Sequence, residues 1–379
     1  MNRGDRWIIG LAFILTAFGV VMVYSAGSFA SFIKHQGGNY YLQQQVVRVL
    51  LGSALMWFCA RKLDLAWLEK IAPVALALCC VLLLAVVAVG HTSKGATRWF
   101  RVGSASLQPT ELARMATVVF LAMWLKRRPI EKHGFWRGLV PPMALLGVVA
   151  VLIFKQPALS SSALLFATGF TMFFLSGAPM RYLMVPVGVG ALAVVGGIAT
   201  HPYQMKRIHT FLDFVLRGKI DAQGAGYQID QSLIAIGSGG IFGRGLGAGF
   251  QKLLSLPDAH TDFIFAIIGE ELGLLGATAL LVIFALFLWR GLRVTARCSD
   301  SFACLLAGGI TVQFGFYVVA NLMVATSLAP TTGLPLPFVS YGGSALLVNL
   351  AAAGILYRIS ALNGEDEALT RQRWAREGA

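Results

Sequence analysis

The chain has 379 residues, of which 57% are hydrophobic and 13% charged, and its mean hydropathy is +0.71. A soluble chain of this length carries roughly a quarter charged residues, so a water-soluble globular protein is excluded. The formal charge of +14 could suggest nucleic acid, but the basic residues follow a membrane topology, and no nucleic-acid partner is expected.

Taken in chain order, the apolar runs predict about ten transmembrane helices, near residues 7–26, 43–60, 71–90, 110–125, 138–154, 159–176, 181–200, 262–289, 302–325 and 338–358. Many reach the roughly 18 to 20 residues that a helix needs to cross a bilayer. The first run follows Arg3 and Arg6 and precedes Ser25-Ala26-Gly27, as a signal peptide would. It is long for that role and further spans follow, so it reads as a retained helix. With the N-terminus in the cytoplasm, the inner segments collect Arg61, Lys62, Lys126, Arg127, Arg128, Arg290, Arg293, Arg358 and the tail residues Arg371, Arg373 and Arg376. The short outer loops hold only Lys34, Lys94, Arg98, Arg101 and Lys155. This asymmetry is the positive-inside pattern and places both termini in the cytoplasm. The expected fold is an all-α integral membrane protein: one polytopic domain over 1–379, with a long extracytoplasmic loop at about 201–261 between helices 7 and 8 and a cytoplasmic tail at about 362–379. Cys59, Cys79, Cys80, Cys298 and Cys304 all fall in spans or on the inner side, so no structural disulfide is expected.

A loop of that length usually has a function or a structure of its own. Within it, Ser232-Leu233-Ile234-Ala235-Ile236 predicts a short amphipathic helix lying at the outer interface. Gly237 through Gly249 predict a flexible glycine-rich turn after it. The tail after Asn363 reads as a solvated or frayed end. No internal repeat is evident, which disfavours the repeat-built transporter folds.

The stretch Leu256 to Gly273, LPDAHTDFIFAIIGEELG, carries the sharpest chemical signal. Asp262 stands where an aqueous loop enters an apolar helix. An acid there can be a helix cap, or a general base or cation ligand facing an outer cavity, with Phe263 and Phe265 raising its pKa by burial. Glu270 and Glu271 lie about 12 Å further along that helix, too far to pair with Asp262, and read as structural. In QPTELAR at 108–114, Pro109 and Thr110 start a helix on which Glu111 and Arg114 share a face. That pair suits either a structural ion pair or a phosphate site. Arg98, Lys155 and the Lys206-Arg207 pair could cradle phosphate or merely snorkel. Gly243-Arg244-Gly245-Leu246-Gly247 lacks the strand context of a nucleotide loop. The histidines at 35, 91, 133, 201, 209 and 260 show no metal-ligand spacing. The prolines and glycines of 332–344 predict a broken helix, tolerated at membrane depth only when packed in protein or lining a wet cavity, and this supports a cavity open to the outer face.

Together these segments resemble the SEDS family, the FtsW/RodA/SpoVE glycosyltransferases of the bacterial cell wall. The matching segments are GATRWF at 95–100, QPTEL at 108–112, KQP at 155–157, YQMKRIHTFLD at 203–213, GYQIDQSLIAIGSGGIFGRGLG at 226–247, LPDAHTDFIFAIIGEELG and GLPLPFVSYGGSALL at 333–347. The Gln251-Lys252-Leu253 run resembles the cell-division branch, FtsW, more than the elongation branch. The resemblance implies a ten-span fold and polymerisation of lipid II into glycan strands at the outer leaflet of the bacterial inner membrane, at the division septum. It implies that Asp262 is the essential acid and a possible ligand of a divalent cation, Mg2+ or Mn2+. It places the family's PxELxK motif on Pro109, Glu111, Leu112 and Arg114; with the cations Lys155, Arg207 and Arg98 and with Ser340, Glu111 and Arg114 make up the expected substrate contacts. The implied partners are lipid II, the polyprenyl-pyrophosphate-linked glycan, a single-span class B transpeptidase (a penicillin-binding protein), other divisome proteins and membrane lipid. Two departures stand out: Arg114 replaces the family's usual lysine, and Ala158 to Ser162 replace its acid-Gly-Thr pattern. A lipid II flippase and a non-catalytic division scaffold are the rival readings.

Overall fold

The computed structural model describes residues 4–35, 37–93, 96–102, 105–200, 202–218, 225–253, 256–257 and 259–377. Lys94, Gly95, His201 and Asp258 lie outside the described residues, as do the side chains of Lys34, His35, His91, Arg101, Tyr203, Arg371, Arg373 and Arg376. The order is α1 (Arg6–His35), α2 (Tyr40–Lys62), α3 (Leu65–Val89), β1 (His91–Ser93), β2 (Ala96–Val102), β3 (Ala105–Leu107) and α4 (Pro109–Arg127). Next come α5 (Ile130–Gly134), which runs through a π-helical turn into α6 (Val140–Phe154), then α7 (Leu159–Leu175) and α8 (Met180–Thr200). The chain ends with α9 (Pro202–Arg217), α10 (Ala225–Gly239), α11 (Ile264–Arg297), α12 (Ser301–Ala325) and α13 (Gly343–Glu377).

A helix stands at each of the ten anticipated positions. Seven described helical segments are long and apolar enough to cross a membrane; α7, at 17 residues, is apolar but shorter. The remaining two, α2 and α4, carry Gln43, Gln44, Gln45 and Arg48, and Glu111, Arg114 and Lys126, respectively. The chain is a multi-pass membrane protein. Of the seven long apolar segments, those of α12 and α13 are the most buried and that of α8 the least, and α4 is more buried still, with 14 of its 19 residues buried. Close packing rests on small residues, as it must where lipid supplies no hydrophobic drive between helices. A Cβ on Gly52 of α2 would lie 2.5 Å from Leu350, and one on Gly354 of α13 would lie 2.4 Å from the Met56 carbonyl. Phe287, Phe314 and Phe338 form an aromatic cluster with ring centroids 5.1 to 5.4 Å apart.

Ion pairs gather at the end that the charge asymmetry assigns to the inside. Lys126 meets Glu69 and Asp300, each at 2.9 Å, and Arg290 meets Asp5 at 3.2 Å. Asp64 and Asp300 cap α3 and α12 through the backbone N–H groups of Ala66 and Ala303. At the opposite end, which the same asymmetry assigns to the outside, a three-stranded antiparallel meander, β1-β2-β3, joins α3 to α4. The long loop departs from expectation. It holds two helices, α9 and α10, and the polar tail continues α13 as helix through Glu377.

The glycine-rich turn is pinned, not flexible. Gly273 breaks α11 with φ 67° and ψ −165°, freeing backbone groups that must find other partners. The turn after α10 satisfies them. Arg244 and Gly245 donate their N–H groups to the Glu270 and Glu271 carbonyls, at 3.0 and 2.9 Å. Leu274 and Leu275 in turn donate to the Gly240 and Ile241 carbonyls, at 2.9 and 3.1 Å. Glu270 accepts from the Phe250 N–H (2.7 Å) and the Gln251 N–H (3.2 Å). Buried Glu271 takes Lys252 Nζ at 2.5 Å and the Ser25 hydroxyl at 2.7 Å. Each glutamate is thus bonded to the glycine-rich turn or its flank, Glu271 also to Ser25 of α1, in keeping with the structural reading of their spacing from Asp262.

Candidate active site

Asp262 is half-buried and lies in the turn just before α11, whose cap position is Phe263. Its backbone is held by residues distant in sequence. Asn321 of α12 donates Nδ2 to the carbonyls of both Asp262 and Leu334, each at 2.9 Å. The Ser340 hydroxyl donates to the Thr261 carbonyl at 2.6 Å and accepts the Leu336 N–H at 2.8 Å. Tyr341 donates its N–H to the His260 carbonyl at 2.9 Å. The rings of Tyr41, His260 and Tyr341 pack together, Tyr41 and His260 being 4.4 Å apart. The His260-Thr261-Asp262 backbone is thus clamped at every residue by α12 or by the segment before α13. That segment, 330–342, has no regular structure and is packed largely within protein. Beside the carboxylate stands Gly333, whose φ of 73° favours glycine and whose Cβ position is 3.7 Å from Oδ2, ordinary contact distance.

The other anticipated residues fall into three groups. Ser340 and Arg207 belong to the Asp262 neighbourhood: Arg207 of α9 donates Nη1 to the Thr331 carbonyl at 2.8 Å, two residues from Gly333. Arg114 is fully buried, ion-paired with Glu111, and lies over the Tyr317 ring at 3.9 Å. Tyr317 sits one turn below Asn321, so a single face of α12 carries Arg114 about 6 Å deeper than the Asp262 clamp. Arg98 donates to the carbonyls of Gln156 (2.8 Å) and Pro157, and Gln156 bonds Thr110 at 3.2 Å. Lys155 beside them is exposed. This third group ties the meander and the α6–α7 turn to the start of α4, at a separate edge of the outer face.

Sequence reasoning missed Asn321, Gly333, Lys252 and Ser25. Asn321 carried a signal, since it is a lone amide in the apolar run Tyr317 to Ala325. Two cavities, of about 560 and 470 Å³, flank the glycine-rich turn, the second against Tyr24, Ser25 and Phe29 of α1. Neither is lined by Asp262. Among the described residues no three His, Cys, Asp or Glu side chains cluster as a metal site.

Residues 5–364 match the profile of the FtsW/RodA/SpoVE family, described as "Cell cycle protein". The chain belongs to this family. It is 38% identical over 360 residues to a probable peptidoglycan glycosyltransferase FtsW of Geobacter sp. (strain M18), covering 94% of this chain and 96% of that one. It is 34% identical over 358 residues to the stage V sporulation protein E of Bacillus subtilis (strain 168), covering 94% and 96%. Among solved structures it resembles a chain described under "Structural coordination of polymerization and crosslinking by a peptidoglycan synthase complex", with a TM-score of 0.76 and 29% identity, over 95% of this chain and 98% of that chain. It also resembles the rod shape determining protein RodA of Thermus thermophilus, with a TM-score of 0.69 and 28% identity, over 94% and 96%. Family membership spans the whole clamp, from His260 to Tyr341, and the glycine-rich turn that precedes it.

Proposed function

We propose that this family member is a peptidoglycan glycosyltransferase that polymerises lipid II in septal wall synthesis. It works at the outer leaflet of the bacterial cytoplasmic membrane, with both termini cytoplasmic and a class B transpeptidase as partner. The observation that carries the reading is Asp262: one half-buried carboxylate, on a backbone clamped at three successive residues, with Gly333 beside it. In the reaction the 4-hydroxyl of the lipid II sugar gives its proton to Asp262. Its oxygen attacks the anomeric carbon of the strand held on polyprenyl pyrophosphate, the bond from that carbon to the pyrophosphate oxygen breaks, and polyprenyl pyrophosphate leaves. One displacement turns the α-linked donor into a β-linkage without a covalent enzyme intermediate. A positioned base of this kind contributes about 10²–10⁴-fold. Of the anticipated outer cations, Arg207 stands beside the Asp262 loop and would help meet the growing negative charge, whereas Arg98 and Lys155 belong to the separate edge around the α6–α7 turn. Ser340 and the Glu111–Arg114 pair serve by holding backbone and helix in place. A single carboxylate suits a Mg2+ or Mn2+ ion that takes its remaining oxygens from substrate phosphate and water; such an ion would supply charge neutralisation.

The test is polymerisation of lipid II by purified protein with its transpeptidase partner and divalent cation, comparing wild type with Asp262→Asn at matched folding and partner binding. Polymer from the wild type, reduced at least about 10²-fold in the variant, is the expected result. Equal polymer from both would remove Asp262 from the chemistry. No polymer from either, in an intact complex, would turn the reading toward transport or scaffolding.

A further inference from the structure

Arg48 is a cation that the Asp262 site, as described, leaves unused. It stands eight residues from the outer end of α2, about 12 Å along the helix, inside a membrane-crossing bundle. A charge at that depth normally has a partner or a task. Among the described residues Arg48 has no carboxylate partner. Its guanidinium lies over the Tyr341 ring at 4.5 Å, and its Nη1 is buried without a hydrogen bond. Nearly one turn outward, Gln45 is 0% exposed, and neither its amide nitrogen nor its amide oxygen has a partner. Burying such groups unpaired is costly, and folded proteins rarely do so without reason.

Arg48 faces the first turn of α13, and Gln45 stands on the α2 stripe that meets that helix. Tyr41, Gln45, Gly52 and Met56 form the stripe of α2 that meets α13, through Tyr341 (5.1 Å from Tyr41), Leu350 and Gly354. Gln45 lies between the first two contacts, level with Gly343, where α13 begins. Arg48 Cζ is 3.9 Å from the position that a Cβ on Gly343 would take, and Ser106 Oγ is 2.9 Å from it. The first N–H groups of a helix have no partner within it and favour anions. Glycine at this point lets Ser106 of β3 approach closely, its carbonyl oxygen lying 3.0 Å from that Cβ position. A guanidinium, a hydroxyl and a helix start therefore meet at one spot, with the Gln45 amide nearly one turn outward on the same α2 stripe; that buried amide and the buried Nη1 of half-buried Arg48 have unmet hydrogen-bonding capacity. That donor set fits an anion with several acceptor oxygens. The spot adjoins the candidate base, because the Tyr341 N–H bonds the carbonyl of His260, two residues before Asp262.

We propose that Gln45, Arg48 and the first turn of α13 form a phosphate-binding site, the seat of the pyrophosphate of a polyprenyl-linked saccharide. The assignment rests on the function proposed for Asp262, and it names where that substrate's charge is held. The site's depth in the bundle favours a lipid-borne phosphate over a free one.

The test is binding, without turnover, of undecaprenyl pyrophosphate to the full-length protein in nanodiscs, with inorganic pyrophosphate as competitor. Arg48→Gln should weaken binding at least about tenfold, the scale of a charge-assisted hydrogen bond, and Arg48→Lys should restore part of it. Gln45→Leu should weaken binding yet raise the melting temperature, because it removes an unpaired buried amide; a structural glutamine would do the reverse. Asp262→Asn should still bind. Displacement by inorganic pyrophosphate supports recognition of the headgroup. Lipid binding indifferent to both the competitor and Arg48→Gln would reduce the interaction to tail contacts and overturn the proposal, as would a Gln45→Leu variant that loses stability while binding normally. Polymerisation measured on the same variants separates the two ideas. Polymer made normally by Arg48→Gln sinks the phosphate site and spares the polymerase, whereas Arg48-dependent binding with no polymer from the wild type does the opposite.

Discussion

Glu111 is 3% exposed and Arg114 2%, each is the other's ion-pair partner, and two guanidinium nitrogens have no hydrogen bond. Both ions have given up hydration, and their attraction offsets that loss only while both remain. Glu111→Ala should therefore destabilise the protein by about 3–5 kcal/mol, leaving a bare buried cation beside Tyr317. Glu111→Gln combined with Arg114→Met should recover most of that loss, because no charge is then left buried. Melting temperatures of the single and double variants in detergent decide the matter; a double variant as unstable as Glu111→Ala would show that the pair's value lies in its shape alone. The sequence allowed either a structural ion pair or a phosphate site here, and burial favours the first. Asp262 was legible because an acid entering an apolar run is conspicuous. Asn321, Gln45 and Arg48 were not, because a single polar residue in an apolar helix does not reveal which neighbour it faces. Only the pairing of α2 with α13, and of α12 with the Asp262 turn, supplies that.

Secondary structure at the site is governed by one broken helix. Gly273 adopts a backbone conformation open essentially to glycine alone, and a Cβ there would lie 2.3 Å from the Gly243 nitrogen and 2.5 Å from the Ile241 carbonyl oxygen. Gly273→Ala should thus cost at least about 1–3 kcal/mol from backbone strain, with the clash in addition. It should also loosen residues 240–253, which lead directly into the Asp262 loop. Hydrogen exchange would show this as lost protection at Arg244, Gly245, Leu274 and Leu275, the four donors that bridge turn and helix; unchanged protection would mean that the turn holds without the kink. The glycine spacing marked a turn correctly. Its rigidity was hidden, because the partners that fix it lie at Glu270 to Leu275, across a return of the chain. The amphipathic helix expected near Ser232 is present within α10, but α9 before it went unread, and its Arg207 reaches the loop beside Asp262.

At the scale of the molecule, hydropathy pointed to a helix at each of the ten anticipated positions, most plainly at the seven segments whose apolar surface is long enough to cross a bilayer. The β1–β3 meander escaped notice: its strands of 3, 7 and 3 residues are too short for a periodic signal. Orientation depends on charge alone, through the excess of Arg and Lys on one face, and it decides whether Asp262 works outside or inside. In a variant lacking Cys59, Cys79, Cys80, Cys298 and Cys304, single cysteines can report the side. Leu216 of α9 is 75% exposed, and Trp136, in the turn between α5 and α6, is 77% exposed. An impermeant maleimide should label Leu216→Cys in intact spheroplasts and Trp136→Cys only after permeabilisation. The reverse pattern would place the Asp262 clamp, the phosphate donors of α2 and the glycine-rich turn on the cytoplasmic side. A polymerase acting at the outer leaflet would then be impossible, however well its carboxylate is positioned.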